Sequence, residues 1–292
     1  MTATEPFDRY VAIDWSGGTG RSHKGIAVAV CDGGLGPPAI VPPPDGRPWA
    51  RMQVLDWLTA QMADRRVLVG FDFSFSAPYI DLGCYFPGLD AQPDTVRDYW
   101  ALVETACADD ADLGARGFVQ HPDYGRYFLI VKPAGERFAR RYRLTEHVCR
   151  EGGLGRAQSL FHLIGPNQVG LASLSGMRLL RRLDALAAVD IWPLAEPRAG
   201  RSAVVEMYTA TFIRLAGQPQ LKLRTVADLN GALAAFDSAP VAHDGPALSD
   251  HDTDALLAAA GLRALSADPR YWRPPLLSDK VRRTEGWVFG VT

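Results

Sequence analysis

The chain has 292 residues, a formal net charge of -2, 47% hydrophobic residues and 22% charged ones. That is length enough for one large core or two small ones, with the composition of an ordinary globular protein. The near-neutral balance gives no sign of a wholly basic nucleic-acid binder, and no apolar run approaches the ~18 residues of a transmembrane helix. The opening MTATEPFDRY lacks the basic and apolar regions of a secretory signal. The four cysteines, Cys31, Cys84, Cys107 and Cys149, form no C-x-x-C pair, so neither a zinc knuckle nor a thioredoxin-like motif is offered. They are expected as reduced packing thiols in a cytoplasmic protein.

In chain order, residues 9–15 alternate toward a strand and 24–31 (KGIAVAVC) read as a second, with SGGTGRSH between them suiting a hairpin. The proline-rich stretch 36–48 excludes a helix or central strand and leaves room for a short third strand. Met52, Leu55, Leu58 and Met62 fall at helical spacing in 49–63, and VLVGFDF at 67–73 is a strand. The segment 77–182 has aromatic loops and little periodicity, and reads as a long, mainly helical and loop insertion. Its charge is split: nine acids and two bases between Asp81 and Asp123, then eleven bases and three acids between Arg126 and Arg182. Such a split makes either a local positive face open to nucleic acid or a salt-bridged surface. A helix at 173–188 capped by Ser173 or Ser175, a short strand DIWPL and a strand at 203–208 follow. Helices are expected at 209–216, at 225–236 with Thr225 and Asp228 in capping-box spacing, and at 249–265. EGWVFGV closes the chain as an expected edge strand.

Strands alternating with helices imply an α/β sheet with a partly parallel core, whose functional groups gather at the strands' carboxyl ends. VAID, VGFD and AVVE each end an apolar run in an acid: Asp14, Asp72 and Glu206. A buried carboxylate is costly unless paired or bound to metal. Acids on neighbouring strands would repel strongly without a cation, and hard ions such as Mg²⁺ or Mn²⁺ prefer oxygen-rich sites. Taken singly, each acid also fits a turn or cap role. In the helix beginning SDHDTD, Asp250 and Asp254 share a face and His251 lies beside Asp254. Capping explains one or two of these acids, but not all of them together with the histidine.

A first-strand acid, acids from later strands and a D-x-x-x-D-A-L helix resemble the ribonuclease-H-like fold. The helix HDTDALLAAAG is similar to the corresponding helix of Holliday-junction resolvases. VAIDWSG, VGFDFSFS, VVEMYTATF, DHDTDALLAAAGL and EGWVFGV, taken in order, resemble more closely the domain of unknown function 429 family of predicted ribonuclease-H-like nucleases. The resemblance implies one ribonuclease-H-like domain over 1–292 with the insertion at 77–182 outside its common core. It implies phosphodiester hydrolysis assisted by two metal ions, Mg²⁺ or Mn²⁺, held by Asp14, Asp72 and Asp254, with Glu206 and Asp250 next in line. His251 is then a proton shuttle or a phosphate contact. Ser16, Lys24, Arg140 and Arg141 are the expected substrate contacts.

Two other readings start from the same residues. Ser16-Gly17-Gly18-Thr19-Gly20 after Asp14 resembles the phosphate loop of actin-like ATPases and sugar kinases. Those enzymes use two copies of the fold, and about 58 residues between Asp14 and Asp72 are too few for one. A non-catalytic scaffold that kept the fold is the second alternative. A serine hydrolase is not indicated, since there is no G-x-S-x-G.

Overall fold

The computed structural model describes residues 5–163, 169–243 and 248–292. Parts of the N-terminal stretch and of segment 77–182 therefore lie outside the described residues. Strands β1 (Arg9–Asp14), β2 (Ala27–Asp32), β3 (Ala39–Ile40), β4 (Val67–Asp72), β5 (Val189–Ile191) and β6 (Ser202–Glu206) form one mixed sheet in the order β3-β2-β1-β4-β6-β5. β2 is antiparallel to β1 and to β3; the β1–β4, β4–β6 and β5–β6 pairs are parallel. The helices are α1 (Arg51–Asp64), α2 (Val96–Ala106), α3 (Arg116–Gln120), α4 (Leu144–Glu151) and α5 (Gly170–Asp184), then α6 (Thr209–Leu215), α7 (Val226–Ala234), α8 (Asp250–Ser266), α9 (Pro269–Trp272) and α10 (Asp279–Thr284).

Alternation along the strands divides the core into two layers. Val11 and Ile13 of β1, Val69 and Phe71 of β4 and Val204 of β6 face one side, where α1, α2 and α5 cover them. Tyr10 and Ala12, Leu68, and Ala203 and Val205 face the other, under α6, α7, α8 and α9. Residues 77–182 are woven into the first layer: Tyr99 and Trp100 of α2 and Leu179 and Leu180 of α5 pack in the same cluster as Val11 and Val69.

α8 is apolar almost all round, as a helix enclosed on every side must be. Its small residues let it approach closely: a Cβ on Gly261 would lie 2.3 Å from the Phe212 ring, and one on Gly70 of β4 would lie 2.7 Å from Leu262 Cδ1. Arg263, in its last turn, donates to the Asp32 carbonyl at the end of β2, so its first turn lies at the carboxyl ends of β1 and β4.

Two expectations are corrected. Ser173 and Ser175 do not cap α5. They sit inside it, buried, where Ser173 Oγ accepts from Ser74 N (3.0 Å) and Ser175 Oγ from Trp15 Nε1 (3.0 Å). EGWVFGV forms no edge strand; Val288 makes a single bridge to Glu206 at the end of β6, and the segment is buried as a plug. All four cysteines are free, and Cys31, Cys107 and Cys149 are buried, in keeping with a packing role. Among the described residues no helix is long and apolar enough to cross a membrane.

Candidate functional site

The register of the parallel β1–β4 pair sets Asp14 directly opposite Asp72. Each follows the alternation of its strand onto the α8 side of the sheet. Two helix starts and a loop close on the pair. Thr209, the first residue of α6, donates its hydroxyl to Asp72 Oδ2 (2.7 Å). His251 Nδ1 meets Asp14 Oδ2 at 2.6 Å. Lys222, in the loop between α6 and α7, donates to Asp254 Oδ2 at 2.7 Å. Asp254 Oδ1 is buried and has no hydrogen-bond partner among the described residues. The α8 turn is held by a capping box: Ser249 Oγ accepts from Asp252 N (3.1 Å), and Asp252 Oδ2 accepts from Ser249 N (3.0 Å). Asp252 is thus a capping acid, while Asp254 one turn in points to the cleft.

The acids feel one another. Burial, then the Asp14 charge, pushes Asp72 up to about 7 against the Thr209 hydrogen bond; Asp254 adds to the rise. Burial likewise raises Asp254 to about 6, although Lys222 pulls it down, and Asp14 and Asp250 push it further up. His251 is raised, first by its hydrogen bond to Asp14. For Lys222, burial disfavours the ammonium, but the Asp254 hydrogen bond and the charges of Asp254, Asp250 and Asp14 outweigh it and raise its pKa. Burial and mutual repulsion thus push two of the cleft's carboxyls, Asp72 and Asp254, towards their neutral forms.

Glu206 is not brought to this cluster. It pairs in register with Phe71, not Asp72, and therefore faces the opposite side of the sheet. There both its oxygens are engaged: Arg143 Nη1 donates to Oε2 (2.8 Å), Arg143 Nη2 to Oε1, and Phe75 N to Oε2 (2.8 Å). Glu206 is a buried structural anion, not a ligand awaiting a metal. Arg141 is also corrected as a substrate contact. Its guanidinium is buried against Asp81 (2.9 and 2.6 Å) and the carbonyls of Pro78, Cys84 and Tyr85. Arg140 and Lys24 are exposed, as a substrate contact requires, and Asp250 is exposed at the start of α8. Ser16 lies beside the cleft: a Cβ on Gly25 would be 3.3 Å from Ser16 Oγ and 3.6 Å from His251 Cε1. Part of the basic half of 77–182 is bound within the chain: Arg178 and Arg182 both hold Glu104, and Arg126 pairs with Glu136 at the surface.

Sequence reasoning missed Lys222, Thr209 and Arg51. Buried Arg51 donates to the carbonyls of Ser16 (3.1 and 2.8 Å) and Gly18 (2.6 Å) and so fixes the glycine-rich loop. Gly17 packs so tightly on α5 that a Cβ would lie 2.3 Å from Ala172 N. An arginine opening a helix and a lone loop lysine carry no periodic signal. Thr209 alone was findable, as a hydroxyl at a helix start just past a strand.

The donor chemistry of Asp14, Asp72 and Asp254, with one buried oxygen unpartnered, fits a hard divalent ion. Among the described residues, no three His, Cys, Asp or Glu side chains are drawn together as a ligand set; Asp14 is turned to His251 and Asp254 to Lys222. No protein-family model matches the chain, and neither a curated protein nor a solved structure matches it.

Proposed function

We propose that this chain is a metal-dependent phosphodiester hydrolase of the ribonuclease-H-like type, with Mg²⁺ or Mn²⁺ held by Asp14, Asp72 and Asp254. The observation that carries the reading is the buried, unpartnered Oδ1 of Asp254 in a cleft where Asp14 and Asp72 stand side by side on adjacent strands. Each acid has one partner, Thr209, Lys222 or His251, but a buried carboxyl oxygen left without one is a place where a cation would be favourable. A mixed sheet flanked by helices, with the acids at the carboxyl ends of β1 and β4, supports the same reading. An ion held by these acids would supply Lewis-acid activation of a water and neutralisation of charge on the leaving oxygen.

The protein's own groups do the rest. Asp14 holds the His251 ring through Nδ1, which leaves Nε2 as the nitrogen that can exchange a proton with substrate or hold a phosphate oxygen. With its side chain 47% exposed, His251 is reachable from solvent. Ser16 lies beside it, and Lys24 and Arg140, both exposed, are the side chains proposed to contact backbone phosphates. A nucleic-acid strand is the substrate class this arrangement fits.

The test is thermal unfolding in EDTA and then with added Mn²⁺, on the wild type and on Asp14→Asn. At ten times the dissociation constant, Mn²⁺ should stabilise the wild type by about 1.4 kcal/mol, a rise of a few degrees in Tm. Asp14→Asn should lose that rise while staying folded, and should lose Mn²⁺-dependent cleavage of nucleic acid. A wild type whose Tm does not move at millimolar Mn²⁺ would sink the metal reading and favour the scaffold.

A further inference from the structure

Lys222 sits in the acid cluster on a loop that fixes it there. Its neighbour Leu223 is buried in the core at 1% exposure, while Leu221 on the other side is 59% exposed. The buried leucine anchors the loop and aims the lysine at α8. Lys222 Nζ bonds Asp254 Oδ2 at 2.7 Å and also lies in the field of Asp250 and Asp14. Its side chain is still 40% exposed. The ammonium therefore bridges the bottom of the cleft to solvent along a flexible stem.

Resting on the metal reading above, we propose that Lys222 is a resident counter-cation that occupies the acid cluster and holds down its affinity for a divalent ion. Two facts meet here. Asp254 has one oxygen bound to Lys222 and one buried oxygen with no partner among the described residues. Meanwhile the three acids are not gathered as a ligand set. Here the ammonium contacts one oxygen of one carboxylate, Asp254 Oδ2; with a single charge and three directional donors it holds carboxylates less strongly than a dication that coordinates several of them. It does lower the negative potential that a dication would meet, so an ion that takes Asp254 Oδ2 has to displace it. The ammonium can leave without unfolding the site because the lysine stem can swing to solvent. In the metal-free protein Lys222 is on Asp254, while His251 is hydrogen-bonded to Asp14.

The experiment is calorimetric titration of Mn²⁺ into EDTA-stripped wild type, Lys222→Met, Lys222→Gln and Lys222→Arg, with the metal-free Tm of each. Lys222→Met should bind Mn²⁺ at least about tenfold more tightly, by loss of a like charge a few ångströms away, and melt lower without metal. Lys222→Gln, which keeps a donor to Asp254 and drops the charge, should bind more tightly in the same way and stands in should the methionine variant misfold. Lys222→Arg should stay near the wild-type affinity. Equal or weaker Mn²⁺ binding by the neutral variants, with wild type binding normally, overturns this inference alone. No Mn²⁺ binding by any of the four proteins overturns the metal reading and this inference with it.

Discussion

Arg143→Met should destabilise the protein by about 3–5 kcal/mol, the size expected when one partner of a buried ion pair is removed. Arg143 is 1% exposed and stands just before α4, between two buried carboxylates. It donates to Glu206 through both terminal nitrogens, to Glu146 Oε1 through Nε (3.0 Å) and to the Glu285 carbonyl (3.0 Å). Methionine fills the stem volume but abandons the anions. Glu206 would retain the Phe75 amide, and Glu146 the backbone amide of residue 143, which is too little for two charges in the core. The loss also loosens three segments at once, because α4, the end of β6 and the start of the C-terminal plug meet at this guanidinium. Urea unfolding at pH 7 reads the change. Adding Glu206→Gln and Glu146→Gln to Arg143→Met should recover much of it, since replacing every charged partner removes the unpaired charges. Glu206→Gln alone should destabilise the fold yet keep the Mn²⁺-dependent rise in Tm, because its side chain lies on the far face of the sheet. A loss below about 1 kcal/mol for Arg143→Met would place the network among ordinary surface ion pairs.

Glu206 also shows where the sequence runs out. VAID, VGFD and AVVE look alike: an apolar run that ends in an acid. Their faces are set by register, and a shift of one residue sends a side chain to the opposite side of a sheet. Asp14 opposes Asp72, but Glu206 opposes Phe71. Nothing within any one segment states that offset. What was legible was local. Strands β1, β2, β4 and β6 and helices α1, α6, α7 and α8 follow from periodicity, and the Ser249–Asp252 and Thr225–Asp228 caps from their spacing of three. Ser173 and Ser175 misled because their hydroxyls serve Ser74 and Trp15, distant in the chain, and not the start of their own helix. The count of arginines in 77–182 was equally visible, but not their destinations. Arg141 and Arg143 turn inward to acids and carbonyls that only the fold brings near. Lys222 had no local signal at all; Leu223 beside it, as a core anchor, gives the position its meaning only once the loop is seen against α8.

Asp72→Asn should do the reverse of Arg143→Met and stabilise the metal-free protein. Burial and the Asp14 charge hold the Asp72 carboxyl at about 7 in the folded state, against an ordinary value of about 3.9 in the unfolded chain. Between those values the native state binds the extra proton, so native stability falls as pH rises through that window. Below about pH 4 both states are protonated and the penalty vanishes; above about pH 7 it is complete. A difference of roughly three in pKa corresponds to about 4 kcal/mol. Asparagine never ionises, and its amide oxygen can still accept from Thr209, which now donates to Asp72 Oδ2 at 2.7 Å. In EDTA at pH 8, urea unfolding should therefore find the variant more stable by about 2–4 kcal/mol, with the gap closing toward pH 4. Mn²⁺ should narrow it from the other side, by stabilising the wild type and not the variant. The two results together would support the proposed metal role of Asp72. If Asp72→Asn were instead less stable at pH 8, the carboxylate would be a structural acceptor for Thr209, and the convergence of Asp14 and Asp72 would lose its functional meaning.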